Sequence, residues 1–304
     1  MLVVGGAVSP RGGDNPDASR LTHSPTVFIQ DMGAAYRASG RTTPIMDVFA
    51  IHPYGDNSSQ PPTFEHPNST SIGVADYGKL VALLGQAFDG TAQPGSTLPI
   101  LYDEYGVESL IPPADAALYS GTEPTTTKPV DPVTQGAYYA QAIALTFCQP
   151  NVEGIFLFHA FDEPALDRWQ SGLYYANGTP KSSLPGVRDA IIKIRRGIIT
   201  QCAALRVTPK LRYLLWPRRA ALRKGRVVLA FACDVDCRYN TTVAKQRRTG
   251  VAVGGTRTVV TFPQRVAKGT YRVRLTLVAT MNAGEPLAVR SPPLQVPAQV
   301  VKVP

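Results

Sequence analysis

The most informative segment of the sequence reads Pro99-Ile100-Leu101-Tyr102-Asp103-Glu104-Tyr105-Gly106. Its apolar first half predicts a buried strand over residues 98–102, with the acidic pair at the carboxyl end of that strand. The glycine lets the backbone turn away immediately afterwards. Because chemistry in α/β folds gathers at the carboxyl ends of parallel strands, we predict that Glu104 faces a substrate cleft. The alternative is a strand-end glutamate that pairs with an arginine or caps a helix.

Apolar segments on both sides of this one predict a parallel sheet. We expect buried strands at residues 2–8, 45–51 and 154–158, and helices that begin at Ser24-Pro25 and Asp131-Pro132 and that cover residues 74–88 and 184–196. Ser or Asp before a proline favours a helix start, because its side chain accepts hydrogen bonds from the exposed backbone N–H groups. Near-continuous apolar strands that alternate with helices are typical of an α/β fold with a covered parallel sheet.

Two more strand ends carry side chains suited to ligand binding. His52 and Tyr54 follow the strand at 45–51, where an imidazole and a phenol can orient a carboxylate or bind hydroxyl groups. A structural His-Pro turn is the alternative for His52. His159 and Trp169 follow the strand at 154–158, where an exposed aromatic ring can stack on the apolar face of a sugar. Trp169 can equally be a core residue, and we interpret the nearby Glu163 as structural.

The distribution of charge divides the chain into two parts. Residues 1–200 hold 12 Lys and Arg against 19 Asp and Glu, whereas residues 201–304 hold 19 against 3. After residue 200 the apolar segments are short, partly alternating and separated by turn residues, which is typical of a β-sandwich. We therefore predict an α/β domain at 1–200 and an all-β sandwich domain at 201–304.

Composition also limits location and partners. No apolar run is long enough to cross a bilayer, and the first residues lack the basic and apolar regions of a signal peptide. The basic second domain favours an anionic cell-wall polymer or cell surface as its partner, unless its cations only form an ordinary solvated surface. Because no aromatic residues interleave with these charges, we expect no nucleic-acid partner.

The four cysteines, Cys148, Cys202, Cys233 and Cys237, predict disulfides in an exported protein. We expect Cys233 to pair with Cys237, because no second cysteine pair or nearby histidine completes a metal site. We also expect Cys148 to pair with Cys202 and to fix the last helix of the first domain, with two free buried thiols as the alternative. These expectations favour a secreted or cell-surface protein.

Taken in order, these segments resemble the last strands of clan A glycoside hydrolases, the retaining (β/α)8-barrel enzymes related to cellulases, mannanases and xylosidases. The matching elements are a strand before His-x-Tyr at 52–54, a strand before Glu-Tyr-Gly at 104–106, an aromatic strand, and Ser171-Gly172-Leu173-Tyr174 with Gly178 and Lys181 beyond it. The resemblance covers about residues 1–196 and implies a partial TIM (β/α)8 barrel made of the fifth to eighth strands. The later domain resembles the Ig-like or fibronectin-like accessory domains of bacterial secreted glycosidases.

The resemblance implies an activity and roles for the candidate residues. It implies retaining hydrolysis of O-glycosidic bonds in a carbohydrate substrate, a polysaccharide or glycoside, with Glu104 in the position of the nucleophile. His52 and Tyr54 would position Glu104 and the sugar, and His159 and Trp169 would contact the substrate. Carboxylate chemistry of this kind needs no metal and no organic cofactor.

Two features depart from the family pattern. The strand at 154–158 leads into Phe158-His159-Ala160-Phe161, where many members carry a tryptophan. The Asn-Glu pair that supplies the acid/base residue after the fourth strand is absent from the sequence, as are strands one to four. We interpret the chain as a fragment of a longer enzyme. A dimer of two half-barrels, and a non-catalytic carbohydrate-binding or cell-surface protein on a degenerate barrel, are the alternatives.

Overall fold

The computed structural model describes residues 1–195, 219–233, 236–280 and 294–303. The chain divides into two compact units, Met1–Arg188 and Asp189–Pro304. The first unit is mixed α/β, and the described strands of the second unit are all antiparallel. None of the described helices combines the length and the apolar character that crossing a membrane would require.

The first unit is built on a four-stranded sheet whose strands lie side by side in chain order. The strands are β1 (Val4–Val8), β2 (Val48–Ile51), β3 (Ile100–Tyr105) and β4 (Val152–Leu157). They alternate with α1 (Pro25–Ala38), α2 (Tyr77–Phe88), α3 (Pro132–Phe147) and α4 (Ser183–Arg195), and with short 3-10 helices at Val74–Asp76 and Pro113–Leu118. All neighbouring strands are parallel, so their carboxyl ends meet at one edge of the sheet. The α/β arrangement predicted from the sequence is therefore confirmed.

Two helix starts that the sequence predicts are also confirmed. Ser24 Oγ accepts a hydrogen bond from the backbone N–H of Val27 at 3.2 Å, and Pro25 occupies the first position of α1. Asp131 Oδ1 accepts from two backbone N–H groups in the first turn of α3, at 2.9 and 3.0 Å. These N–H groups have no partner inside the helix, so the caps remove the cost of leaving them unpaired.

The prediction of a buried strand at residues 2–8 is wrong. The strand covers Val4–Val8, and none of its residues is buried. β4 is likewise only half-buried, and its Phe156 is 60% exposed, whereas β2 is buried along its whole length. The reason is position in the sheet, because β1 and β4 are its two outer strands. Apolar composition predicts a strand, but it does not reveal that the strand lies at an edge.

β3 is longer than predicted at its carboxyl end. The strand continues to Tyr105, so Asp103 and Glu104 lie within it rather than after it. Its pairing with β4 is irregular between Tyr102 and Tyr105. Such an irregularity turns the following side chains relative to the sheet, and bulges of this kind are common beside functional sites.

The described part of the second unit contains two antiparallel sheets with the strand orders β11-β10-β7-β8 and β5-β6-β9. Their strands are β5 (Arg219–Arg223), β6 (Arg226–Phe231), β7 (Cys237–Val243), β8 (Gln246–Ala252), β9 (Thr258–Thr261), β10 (Gly269–Ala279) and β11 (Leu294–Val303). Side chains of both sheets share one apolar core, in which Leu229 and Phe231 of β6 lie with Leu275 and Leu277 of β10. The β-sandwich class of this domain stays a prediction.

Cys233 and Cys237 form the disulfide that the sequence predicts. Both are fully buried in the apolar core of the second unit. Cys148 is fully buried at the C-cap of α3, but its expected partner Cys202 lies outside the described residues. The domain boundary predicted at residue 200 also lies outside them.

Candidate active site

Three strand ends bring candidate residues together at one edge of the first unit's sheet. His52 directly follows β2, Glu104 is the second-last residue of β3, and Phe158 directly follows β4. These three strands are parallel neighbours in the sheet, which is why residues from distant parts of the chain meet there.

Each carboxylate oxygen of Glu104 has a polar side chain close to it. The Tyr54 hydroxyl donates to Oε1 at 2.5 Å, and His52 Nδ1 lies 3.3 Å from Oε2. The Glu104 side chain remains 22% exposed. Among the described residues, no Lys or Arg forms an ion pair with Glu104. The geometry therefore does not show the structural Arg–Glu pair that was the alternative. The carboxylate is therefore contacted by a phenol and an imidazole.

Tyr54 is a half-buried phenol that can only act as a donor toward Glu104. Burial raises the pKa of the Tyr54 phenol, and the hydrogen bond to the Glu104 carboxylate raises it further. The phenol therefore stays protonated at neutral pH and keeps its O–H directed at the carboxylate.

His52 lies between two carboxylates, one of which sequence reasoning did not include in the site. Its Nε2 is 3.5 Å from Asp103 Oδ1, on the opposite side of the ring from Glu104. Asp103 Oδ1 is buried and has no hydrogen-bond partner among the described residues. Strict alternation would send Asp103 and Glu104 to opposite faces of the sheet. The irregular end of β3 accounts for their contact with the same histidine, and the only signal in the sequence is that the two residues are adjacent.

Aromatic rings form a continuous group beside Glu104. The Tyr54 ring stacks on Trp169 with centroids 5.0 Å apart and on Tyr105 with centroids 6.2 Å apart. Trp169 is half-buried, and Phe158 meets it edge-on at 5.4 Å. The structure thus brings Trp169 into the Glu104 site.

His159 and Glu163 lie at the border of this group. The centroids of the His159 and Phe158 rings are 3.5 Å apart, and a cis peptide bond joins the two residues. No described contact joins His159 to Glu104. Glu163 holds the main chain of Trp169, because its Oε2 accepts from the Trp169 N–H at 3.0 Å and its own N–H donates to the Trp169 carbonyl at 2.9 Å. This contact agrees with the structural role expected for Glu163.

A buried ion pair lies within the segments that follow β3 and β4, and sequence reasoning missed it. Lys181 Nζ donates to Asp162 Oδ1 at 2.7 Å, to Ser109 Oγ at 2.8 Å and to the Gln170 carbonyl at 2.9 Å. Both charged side chains are fully buried. Burial raises the pKa of the Asp162 carboxyl and lowers that of the Lys181 ammonium, and the close contact between the two groups opposes both shifts.

Glu108 is a second buried acid in the same region. Its Oε2 accepts from the Gln170 N–H at 3.3 Å, and burial raises the pKa of the Glu108 carboxyl to about 7. Glu108 and Lys181 therefore both bind Gln170, the residue next to Trp169. The network fixes the segment that carries Trp169 against the end of β3.

The described residues contain no group of three or more His, Cys, Asp or Glu side chains arranged to hold a metal ion.

No protein-family model and no curated protein sequence matches the chain. Two solved structures of β-glucuronidases from Bacteroides uniformis are weakly similar to it. A calcium-binding mutant of β-glucuronidase 2 is 12% identical with a TM-score of 0.28, and the alignment covers 88% of this chain and 26% of that one. The other β-glucuronidase structure is 15% identical with a TM-score of 0.27, over 88% of this chain and 27% of that one. The chain thus spans about a quarter of the length of these proteins, and similarity at this level does not establish a shared fold.

Proposed function

We propose that this chain is part of a retaining glycoside hydrolase that cleaves O-glycosidic bonds in a polysaccharide or glycoside. The observation that carries the proposal is the environment of Glu104, a partly exposed carboxylate at the carboxyl edge of a parallel sheet with Tyr54 and His52 on its two oxygens. A nucleophilic carboxylate must be held in one orientation, remain charged and be reachable by the substrate. The contacts with Tyr54 and His52 support the first condition, and the partial exposure of Glu104 supports the last.

In the proposed reaction, ionised Glu104 attacks the anomeric carbon of a β-linked sugar and displaces the leaving oxygen. The resulting glycosyl ester is then hydrolysed by water, so the configuration at the anomeric carbon is retained overall. Tyr54 and His52 act as positioning residues, because they contact the carboxylate rather than the bond that breaks. The mechanism needs a second carboxyl group about 5–5.5 Å away to protonate the leaving oxygen. We assign that role to no residue of this chain.

The aromatic group beside Glu104 supports a carbohydrate substrate. Sugar rings have apolar faces that stack on tyrosine and tryptophan, and Trp169 lies against Tyr54 with its main chain fixed by Glu163. We propose Trp169 as a sugar platform and His159 as a more distant substrate contact. No metal or organic cofactor takes part in the proposed chemistry.

The proposal includes the architecture and the location of the protein. β1 to β4 would correspond to the fifth to eighth strands of a (β/α)8 barrel, and the second unit to an Ig-like accessory domain. The disulfide between Cys233 and Cys237 supports a secreted or cell-surface protein, because disulfides persist in oxidising compartments.

Trapping of the glycosyl ester tests the nucleophile without requiring the proton donor. The probe is a 2-deoxy-2-fluoro glycoside whose leaving group is dinitrophenolate. This leaving group departs without being protonated, so Glu104 alone suffices for the first step. We expect the mass of the chain to rise by one fluorosugar, and peptide mapping to place the label on Glu104. Glu104→Gln should abolish the label, whereas Glu65→Gln at an exposed position should leave it unchanged.

The outcomes separate this proposal from its rival. Labelling that persists in Glu104→Gln, or that maps to another residue, would refute the assignment of Glu104. A chain that binds polysaccharide through the Trp169 face and accepts no label from a panel of β-fluoroglycosides would instead be the non-catalytic carbohydrate-binding protein.

A further inference from the structure

The second unit carries many positive charges and almost no negative ones. Residues 219–303 contain fourteen Lys and Arg within the described segments, and Asp236 is the sole acidic residue there. Asp236 is buried, with 3% of its surface exposed, and its Oδ1 accepts from the Gly254 N–H at 2.8 Å. The exposed cations of these segments therefore have no exposed carboxylate among the same residues with which to pair. A surface of this kind attracts anions from solution.

Several of these cations lie on one face of the sheet β11-β10-β7-β8. Val273, Leu275 and Leu277 of β10 point into the core, so the residues that alternate with them point outward. Arg274 is one of these outward residues, and its side chain is exposed. Strand register then identifies the outward residues of the neighbouring strands.

The register places three arginines and an amide close together on that outer face. Arg274 of β10 and Arg247 of β8 both pair with Thr242 of β7, so they lie on either side of that strand. Two residues earlier on β7 lies Asn240, opposite Thr276 of β10, and two earlier again lies Arg238. Arg247 Nε donates to Asn240 Oδ1 at 2.9 Å, which fixes the amide between the arginines. We call this outer face, with Arg238, Arg247 and Arg274, the basic face.

A groove of about 600 Å³ lies on the basic face. Its lining includes Arg238 and the polar residues Asn240, Thr276 and Gln295, whereas Arg247 and Arg274 lie on the same face beside it. Thr276 Oγ donates to Gln295 Oε1 at 3.0 Å, and Val251 adds a side chain that is 64% exposed. The groove thus combines a cation, neutral hydrogen-bonding groups and apolar surface within the size range of ligand sites.

We propose that the basic face binds an anionic polysaccharide whose sugar units carry carboxylates. A guanidinium group binds a carboxylate through two parallel hydrogen bonds, which three neighbouring arginines can do along a chain of uronate units. The amide and hydroxyl side chains match sugar hydroxyls, and the exposed valine matches the apolar face of a sugar ring.

Nucleic acid and lipid fit the basic face less well. Tyr239 is the one aromatic residue in the lining of the groove, and its ring packs against Phe231 of the core with centroids 5.4 Å apart, so it is engaged in the core rather than presented to unpaired bases. The residues that line the groove belong to strands of a sheet. Among the described residues, no helix lies there that could enter the major groove of a DNA duplex. Neutral polar groups between the arginines favour hydroxyl-rich sugars over a lipid surface. This inference stands on the second unit alone and does not depend on the assignment of Glu104.

Binding of the full chain to polygalacturonate tests the proposal against a charge-matched control. The triple variant Arg238→Gln, Arg247→Gln and Arg274→Gln should weaken binding about tenfold or more, since three charge-assisted contacts are lost. The control triple variant Arg223→Gln, Arg226→Gln and Lys268→Gln removes the same charge from exposed positions outside the basic face and should change binding less than about twofold. Neutral dextran should not bind.

Each result decides the matter. Equal losses in the two triple variants would show that only net charge matters and would overturn the proposal, as would tighter binding to single-stranded DNA or to anionic phosphatidylserine vesicles at the same ionic strength. Circular dichroism and thermal unfolding check that each variant is folded. Should the triple variant of the basic face fail to fold, Asn240→Ala and the single variant Arg238→Gln must each still weaken polygalacturonate binding, and unchanged affinity in both would equally reject the site.

Discussion

At the scale of single residues, the orientation of Glu104 depends on the Tyr54 hydroxyl, which stays protonated at neutral pH. The Tyr54 phenol lies 2.5 Å from the carboxylate, and its raised pKa rules out a second negative charge at that distance. Removing a donor of this kind leaves one carboxylate oxygen free to rotate or to be hydrated. A nucleophile held by one partner instead of two should attack less often.

Tyr54→Phe isolates the contribution of that hydroxyl. The ring and its stacking on Trp169 are kept, so we expect little change in thermal stability but a fall of roughly 100-fold in the rate of fluorosugar labelling at Glu104. Tyr138→Phe removes a hydroxyl that donates to the exposed Ser59 carbonyl at 3.3 Å and serves as the matched control. An unchanged labelling rate in Tyr54→Phe would show that the short hydrogen bond has no role in positioning the nucleophile.

Glu108 makes the stability of the first unit depend on pH. Burial raises the pKa of its carboxyl from 4.5 to about 7, so between these values the folded state holds a proton that the unfolded state has lost. The contribution of Glu108 to stability is therefore fully present below about pH 4.5 and is lost as the pH rises toward 7. The loss amounts to at most about 3 kcal/mol.

Glu108→Gln tests this dependence, because the amide keeps an oxygen for the Gln170 N–H but does not ionise. We expect the variant to gain stability relative to the wild type as the pH is raised from about 5 to about 8. Urea unfolding at the two pH values measures the difference, with Glu65→Gln as the exposed control. A difference between variant and wild type that does not change with pH would contradict the buried, proton-binding state of Glu108.

At the scale of elements, the segment after β4 is held by a buried ion pair and not by regular structure. Lys181→Met leaves the Asp162 carboxylate buried without its cation and should destabilise the first unit by about 3–5 kcal/mol. Asp162 would still accept from Tyr119 and Gly172, so the double variant Lys181→Met and Asp162→Asn should recover part of the loss. Denaturant unfolding curves of the three proteins measure this.

Lys193→Met provides the control for that series. Lys193 Nζ lies 2.6 Å from Asp189, but the two side chains are 51% and 57% exposed, and an ion pair in water contributes less than about 1 kcal/mol. Similar losses in Lys181→Met and Lys193→Met would mean that the buried pair does not hold the segment.

These elements also show what the sequence could and could not predict. The parallel sheet and the starts of α1 and α3 follow from local signals, namely apolar runs and caps such as Ser24, and the structure has them. The exposure of β1 and the irregular end of β3 depend on which strands lie beside them, and no local pattern encodes that. For the same reason Glu104, His52 and Tyr54 were identified from strand ends, whereas Asp103 and the Lys181–Asp162 pair were not.

At the scale of the whole molecule, the two proposed functions depend on different interactions, short contacts in the first unit and attraction between exposed charges in the second. In the proposed reaction, the Glu104 site presents a single ordered carboxylate to a neutral sugar, so that reaction depends on short contacts. The basic face holds exposed arginines, and attraction between exposed charges weakens strongly as the Debye length shortens with added salt. The two proposed activities should therefore respond differently to salt.

Raising the salt concentration from about 0.05 to about 0.5 M should weaken polygalacturonate binding by tenfold or more, because the Debye length falls to roughly 4 Å. The rate at which a neutral fluorosugar labels Glu104 should change less than about twofold over the same range, since that reaction brings no charge into the site. Both quantities are measured on the same preparation, by isothermal titration calorimetry and by intact mass against time. If labelling and binding fell in parallel, the sugar would be entering through the basic face, and the two units could not be acting through separate sites.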